Sequence, residues 1–274
     1  MLEYYGDSTY LEGLKETGFF LIQNFLQQNE IKALKDVAVR IFNVDGGSAV
    51  LPTIFLKENK LTEIFFHKRM RSFLQDIFGY MNRIYLYPNI TIRNNLYVNW
   101  HTDDFFLAEN LQDEGALPEF YMFNVYLQDN SKERGGGIDV MSGTHHLGRE
   151  KKDKIISCPA ESTYYSIPSK SGDLIVFDYR IIHRGTIPTV DSNPDRFALQ
   201  WTVSTSDKWS SMYLAYLLSR GKQKIHLADF TPQRAKTFFE DISNVVYPDS
   251  FDDVGRAFFD QYIRFIDTAH YIVS

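Results

Sequence analysis

Apolar positions along the chain change their period twice. Up to about residue 80 the spacing is helical. Residues 9–17 read as a short helix stopped by Gly18, and Phe19-Phe20-Leu21-Ile22 follows as a strand. Asn29 suits the N-cap of a helix with Ile31, Leu34, Val37 and Ile41 on one side. A further helix is predicted over 61–78, with Ile64, Phe65, Met70, Phe73 and Ile77 turned inward.

After Gly79 the segments become short, rich in β-branched and aromatic residues, and divided by turns. Strands are predicted at 81–87, 90–103, 119–128, 162–167, 173–183 and 196–204. Gly135-Gly136-Gly137 reads as a flexible turn between strands, and Pro188 to Pro194 as a surface loop. So many short strands in succession point to a sandwich or barrel, here a jelly roll. Beyond Asp207 the spacing is helical again. Pro232 follows the candidate N-cap Thr231, Ala235, Phe238, Phe239 and Ile242 share one helix face, and 250–267 places Val254, Phe258, Tyr262 and Phe265 on another. The expected class is therefore α+β: helices over 1–80, a β core over 81–205 and a helical extension over 206–274.

Composition narrows the function. At 274 residues and 44% hydrophobic, the chain has material for a real core. The formal net charge is −6, and Lys and Arg are scattered. Nucleic acid is not an expected partner, because phosphate binding needs clustered positive charge. No apolar run approaches the ~18 residues of a membrane helix, so no membrane partner is expected. Met1-Leu2-Glu3-Tyr4 does not begin a signal peptide, and the one cysteine, Cys158, forms no intrachain disulfide. The expected location is the cytoplasm.

The candidate chemistry centres on His101-Thr102-Asp103. In a strand, residues two apart share a face, so this spacing offers an imidazole and a carboxylate to one ion. Taken alone, the pattern also fits a surface histidine beside two acids. Counting back by twos from His101 gives Asn99, Tyr97, Asn95 and Arg93, a polar face; the alternate positions, from Trp100 to Ile92, are mostly apolar. In a jelly roll that polar face lines the interior, which makes Asn95 a further candidate contact. His183, 82 residues beyond His101, ends the apolar strand 173–182. Two histidines and one carboxylate are the facial triad of non-haem iron(II) oxygenases, with three coordination positions open. Thirteen residues further on, Arg196 opens the strand 196–203 and shares a face with Ala198, Gln200 and Thr202. A guanidinium inside a barrel needs an anion, and a dicarboxylate supplies one.

Together these stretches resemble the phytanoyl-CoA dioxygenase family of Fe(II)/2-oxoglutarate oxygenases. The resemblance is carried by residues 18–26, Trp100-His101-Thr102-Asp103, Val125 to Asp129, Gly137, Ser142-Gly143-Thr144-His145, Gly172-Asp173-Leu174, His183 and Arg196. It covers residues 15–205 and implies a double-stranded β-helix (jelly roll, cupin-like). It further implies Fe(II) on His101, Asp103 and His183, dioxygen as cosubstrate, and 2-oxoglutarate anchored by Arg196 with Thr186 and Asn124 nearby. The oxygenase domain would then span 1–205, with 206–274 packed on it. Ser142 stands where the family has proline, and His183 is followed by Arg184-Gly185 where relatives often have glycine directly. His145 falls in a structural turn of the family. Asp103 keeps the carboxylate that halogenating relatives lack, so the expected reaction is hydroxylation of a small-molecule substrate. Desaturation and epimerisation use the same triad, and a non-catalytic cupin-like binding protein or a hydrolase with another metal are the rivals. The substrate and the oligomeric state are not legible.

Overall fold

The computed structural model describes residues 10–45, 49–50, 68–78, 84–94, 97–104, 120–131, 133–190, 196–205, 212–213, 225–226, 263–265 and 272–273. The chain divides into two units. One comprises Met1–Ala49, Ile92–Ala108 and Tyr121–Gln200, the other Val50–Thr91, Glu109–Phe120 and Trp201–Ser274.

The first unit opens with α1 (Tyr10–Glu16), β1 (Phe19–Ile22) and α2 (Gln28–Asp45). The helix expected to be capped by Asn29 starts two residues earlier, at Gln28. Glu30 reaches back to accept from the Gln27 amide at 2.5 Å, so Gln27 takes the capping place. Ile31, Leu34, Val37 and Ala38 are buried along one stripe of α2.

The later strands that lie wholly or partly in this unit form two sheets. β1 pairs antiparallel with β7 (Leu174–Asp178), and β7 with β4 (Phe120–Tyr126), which neighbours β9 (Phe197–Ser204). The second sheet runs β6 (Tyr165–Ser166), β5 (Ile138–Met141), β8 (Ile182–Gly185). One face of each sheet closes on a shared cluster. Phe19, Ile175, Phe177, Tyr126 and Ala198 from the first meet Ile138 and Val140 from the second. This is the sandwich of a jelly roll, and β-branched and aromatic runs build it because both faces of the first sheet's strands are buried. Helix α4 (Arg149–Ser157) covers the outer face of the second sheet, where Ile155 and Ile156 pack on Trp100, Met141 and Ile182.

Two expected strands are broken where the site lies. The run 173–183 is two strands: the Asp178 carboxylate accepts from the Arg180 amide at 2.8 Å, and the Ile181 amide bonds to the Asp178 carbonyl at 3.0 Å, closing a turn. His183 is therefore the second residue of β8 and does not end β7. The run 90–103 is also interrupted. Strand β3 (Ile84–Asn94) takes its first five residues, residues 97–100 are in no strand, and His101 joins β8 through an isolated antiparallel bridge to His183.

In the second unit, α3 (Lys68–Phe78) buries Met70, Phe73, Leu74 and Ile77, the spacing of one helix face. The part of the predicted helix at 61–67 lies outside the described residues. Residues 263–265, expected within a helix, instead form a short strand parallel to β3 over Ile84 to Leu86. In Ile263-Arg264-Phe265 the apolar positions alternate, so so short a run satisfies either period. Residues 225–226 and 272–273 pair as two-residue strands, and the remainder of the expected helical extension, apart from 212–213, lies outside the described residues. No helix among the described residues is long and apolar enough to cross a membrane.

Candidate metal centre

His101, Asp103 and His183 converge within the first unit. Their ligand atoms all lie within 4.8 Å of one another, the one such group among the described residues. The bridge that brings the histidines together has both bonds in place, His101 amide to His183 carbonyl at 3.0 Å and the reverse at 2.9 Å. A further bond joins the Gly185 amide to the Val98 carbonyl, one residue off the register the first pair sets. The segment 97–101 thus carries an extra residue, as in a β-bulge, a device common beside active sites. The bulge breaks the period-two count from Arg93 to His101. The triad converges by this local geometry and not by a continuous pleat. Asp103 is set by its own amide, which bonds to the Tyr179 carbonyl in the turn after β7 at 2.9 Å.

The imidazoles are oriented for metal. Nδ1 of His101 faces the Asn99 carbonyl at 2.6 Å, and Nδ1 of His183 faces the Ile181 carbonyl at 3.1 Å. A carbonyl only accepts, so each Nδ1 carries a hydrogen and Nε2 is the ring atom each histidine can offer to a metal. Those two Nε2 atoms lie 3.6 and 3.5 Å from the two Asp103 oxygens. Donors at right angles on metal bonds of about 2.1 Å would stand roughly 3 Å apart, so a small inward movement suffices. Two neutral imidazoles and one carboxylate suit a divalent first-row metal. The His183 ring packs on Phe177 with centroids 4.5 Å apart, on the face that meets the shared cluster.

Arg196 is buried and closely cradled. Its Nη1 donates to the Arg134 carbonyl at 2.9 Å, and its guanidinium lies over the Tyr97 ring at 4.2 Å. Burial pulls its pKa below the ordinary arginine value. Gly135 and Gly136 have left-handed φ of 69° and 87° and lie against it; a Cβ on Gly135 would come within 2.6 Å of Nη1, and one on Gly136 would collide with Cδ. The glycine run expected to be a flexible turn is therefore the floor of the arginine's seat. Asn124 opposes Ile175 across β4 and β7, on the face that carries Phe177. Its Oδ1 accepts from Gln200 Nε2 at 2.5 Å, while its buried Nδ2 has no partner among the described residues.

Thr186, His145 and Cys158 have partners or settings of their own. The Thr186 hydroxyl donates to Asp139 at 2.8 Å. Asp139 opposes Arg184, whereas Val140 opposes His183, so the Thr186 side chain serves the face turned away from the metal ligands. Asn95 lies outside the described residues. His145 sits in a 3-10 turn, with Nε2 on the Lys15 carbonyl at 3.0 Å, and is no part of the triad. Cys158 is exposed.

Three buried acids that the sequence left unassigned brace the site from outside. Asp104 pairs with Lys152 of α4 at 2.9 Å, Asp139 with Arg184 at 2.8 Å, and Asp178 with Arg180 at 2.6 Å. Arg184 also stacks on Trp100 at 4.4 Å and Tyr164 at 4.9 Å, so the residue after one histidine ligand clasps the residue before the other.

The profile of the phytanoyl-CoA dioxygenase (PhyH) family matches residues 14–187. The chain belongs to the PhyH family. This makes it a 2-oxoglutarate-dependent non-haem iron oxygenase on a jelly-roll fold, as its motifs led one to expect. In sequence, no curated protein matches the chain. Among solved structures, the non-heme alpha ketoglutarate dependent carbocyclase SnoK from nogalamycin biosynthesis is 19% identical with a TM-score of 0.57, over 71% of this chain and 82% of that one. EctD from S. alaskensis with bound Fe is 12% identical with a TM-score of 0.57, over 74% and 79%. HygX from Streptomyces hygroscopicus, with nickel and 2-oxoglutarate bound, is 16% identical with a TM-score of 0.54, over 71% and 85%. At such identities the likeness is one of fold.

Proposed function

We propose that this PhyH-family protein hydroxylates an unactivated C–H bond of a small molecule, with Fe(II) on His101, Asp103 and His183 and 2-oxoglutarate anchored by Arg196. The observation that carries the reading is the convergence of the two Nε2 atoms on the Asp103 carboxylate. When bound, iron and 2-oxoglutarate supply a dioxygen-derived oxidant, and 2-oxoglutarate leaves as succinate and carbon dioxide.

The chain's own residues bind and orient. Asn99 and Ile181 carbonyls fix the two imidazoles. Arg196 presents in-plane donors to a carboxylate, and the half-satisfied Asn124 amide offers a further donor from the same sheet face as Gln200. The apolar cluster around Phe177 excludes water from the side of His183. Asp103 fills the ligand place that a halide would need, which favours oxygen transfer.

The test is iron-dependent conversion of 2-oxoglutarate to succinate under air, with the same mixture made anaerobic as control. Expected is turnover that needs both iron and dioxygen and that is absent in His183→Ala. Absence of 2-oxoglutarate consumption together with redox-neutral conversion of a candidate substrate under anaerobic conditions would point to a hydrolase or isomerase on the same triad, and iron binding with neither reaction to a binding protein. Mass spectrometry of candidate products then reads hydroxylation (a gain of one oxygen) against desaturation or epimerisation.

A further inference from the structure

A guanidinium offers its donors only at the edges of its plane. A carboxylate is met bidentately only if that plane and its rotation are both set beforehand. Around Arg196 each is set by a different neighbour. The Tyr97 ring covers one face at 4.2 Å, and the Arg134 carbonyl takes Nη1 at 2.9 Å. The backbone at Gly135 and Gly136 blocks the stem from moving.

Tyr97 also belongs to the bulged segment that ends in the metal ligand His101, and its Cα lies 3.6 Å from where a Cβ of Gly185 would stand, two residues after His183. The ring is thus built into the same backbone that carries the iron site. Its hydroxyl is buried without a hydrogen-bond partner among the described residues, so the hydroxyl does not hold the ring in place.

We propose that Tyr97 is a positioning residue for Arg196, its ring fixing the guanidinium plane so that the protein selects a 2-oxo diacid over a 2-oxo monoacid. This rests on Arg196 being the cosubstrate anchor. A stacked cation in a desolvated seat loses about tenfold or more in effect when the ring is removed. Removing only the unpartnered hydroxyl takes away no bond made by the described residues.

The experiment is anaerobic titration calorimetry of the iron-loaded full chain with 2-oxoglutarate and, separately, with pyruvate, which lacks the distal carboxylate. Tyr97→Met keeps apolar volume and removes the π face; Tyr97→Leu serves the same comparison should the first not fold. Expected is 2-oxoglutarate binding weakened about tenfold or more in Tyr97→Met and within twofold of wild type in Tyr97→Phe. Pyruvate binding and iron affinity should not change in any of them. In turnover the KM for 2-oxoglutarate rises while kcat at saturation holds. Arg196→Leu run beside them separates the two layers. If it binds 2-oxoglutarate like wild type, the anchor assignment is wrong. If it weakens binding and Tyr97→Met does not, or if Tyr97→Met weakens pyruvate equally, the positioning role is overturned.

Discussion

Replacing Lys152 by methionine removes a cation from a site with almost no water. The side chains of Lys152 and Asp104 are 4% and 5% exposed, and Nζ meets Oδ2 at 2.9 Å. Burial pulls the Lys152 pKa below its ordinary value while the Asp104 carboxylate pushes it back up, the balance expected of a buried pair. Breaking such a pair from one side costs about 3–5 kcal/mol, because the remaining charge stays buried. Asp104 keeps two partners: the Thr102 hydroxyl at 2.5 Å and Arg149 Nη1 at 3.3 Å. Arg149 is 37% exposed and so partly screened, which places the loss at the lower end, about 3 kcal/mol. Against a typical total of about 5–15 kcal/mol the change is easily read from urea denaturation of the metal-free protein. Asp104→Leu combined with Lys152→Met should recover most of the loss, since no charge is then left buried. A loss below about 1 kcal/mol in Lys152→Met, or a double variant no better than the single one, refutes the argument.

His101→Ala and His183→Ala are each expected to abolish iron binding, read by anaerobic titration, and with it 2-oxoglutarate turnover; full activity in either removes the triad assignment. Arg196→Leu should leave iron binding intact and weaken 2-oxoglutarate at least about a hundredfold, from two charge-assisted hydrogen bonds of about 1.5–3 kcal/mol each. Gly136→Ala drives a methyl group into Arg196 at a φ of 87°, so a cost of about 1–3 kcal/mol in denaturation and weaker 2-oxoglutarate binding are expected; a neutral variant refutes the cradle. Burial lowers the His145 pKa, against the Asp178 charge and the Lys15 carbonyl. The unfolded chain then binds the proton first, so stability falls as pH drops below about 6.5. His145→Gln should flatten that part of the urea midpoint profile between pH 7.5 and 5.5, and an unchanged slope counts against the buried neutral imidazole.

Where the sequence was legible, one residue type served one purpose. The strand expected over 119–128 is β4, because Phe120, Phe123 and Val125 are buried and nothing within it bends the chain. The triad was legible because histidine and aspartate two apart, with a distant histidine at the end of an apolar run, is a pattern of chemistry before it is one of structure. The route to it was not. Period-two counting assumes an unbroken pleat, and both the bulge at 97–101 and the turn at Tyr179 to Ile181 are made by hydrogen bonds to distant backbone or to the side chain of Asp178. Likewise Asp104 read as a spare acid beside Asp103, since its partner Lys152 lies 48 residues away on a helix that the pattern did not predict. Gly135-Gly136 read as slack for the same reason: what it makes room for, Arg196, is contributed by another strand.

The three buried ion pairs share a placement that stability alone does not explain. Asp104 follows the ligand Asp103, Asp178 and Arg180 form the turn whose Tyr179 carbonyl holds Asp103, and Asp139 with Arg184 lies directly outside His183. An apolar pair of similar volume would hold two elements together about as well, since desolvation consumes most of what a buried ion pair contributes. What the ion pair adds is direction. Arg180 donates through Nε and Nη2 to both oxygens of Asp178, and Asp139 takes Arg184, Thr186 and Ser166 at once. Such contacts fail if the backbone slides by one residue, whereas apolar contacts would re-form. β8 is held in register by β5 on one side, but on the other the segment carrying His101 and Asp103 meets it only through the isolated bridge at His183, so the sheet does not fix the register of that segment. The ion pairs on the outer face do so instead, and the inner face is left to the two imidazoles and the Asp103 carboxylate.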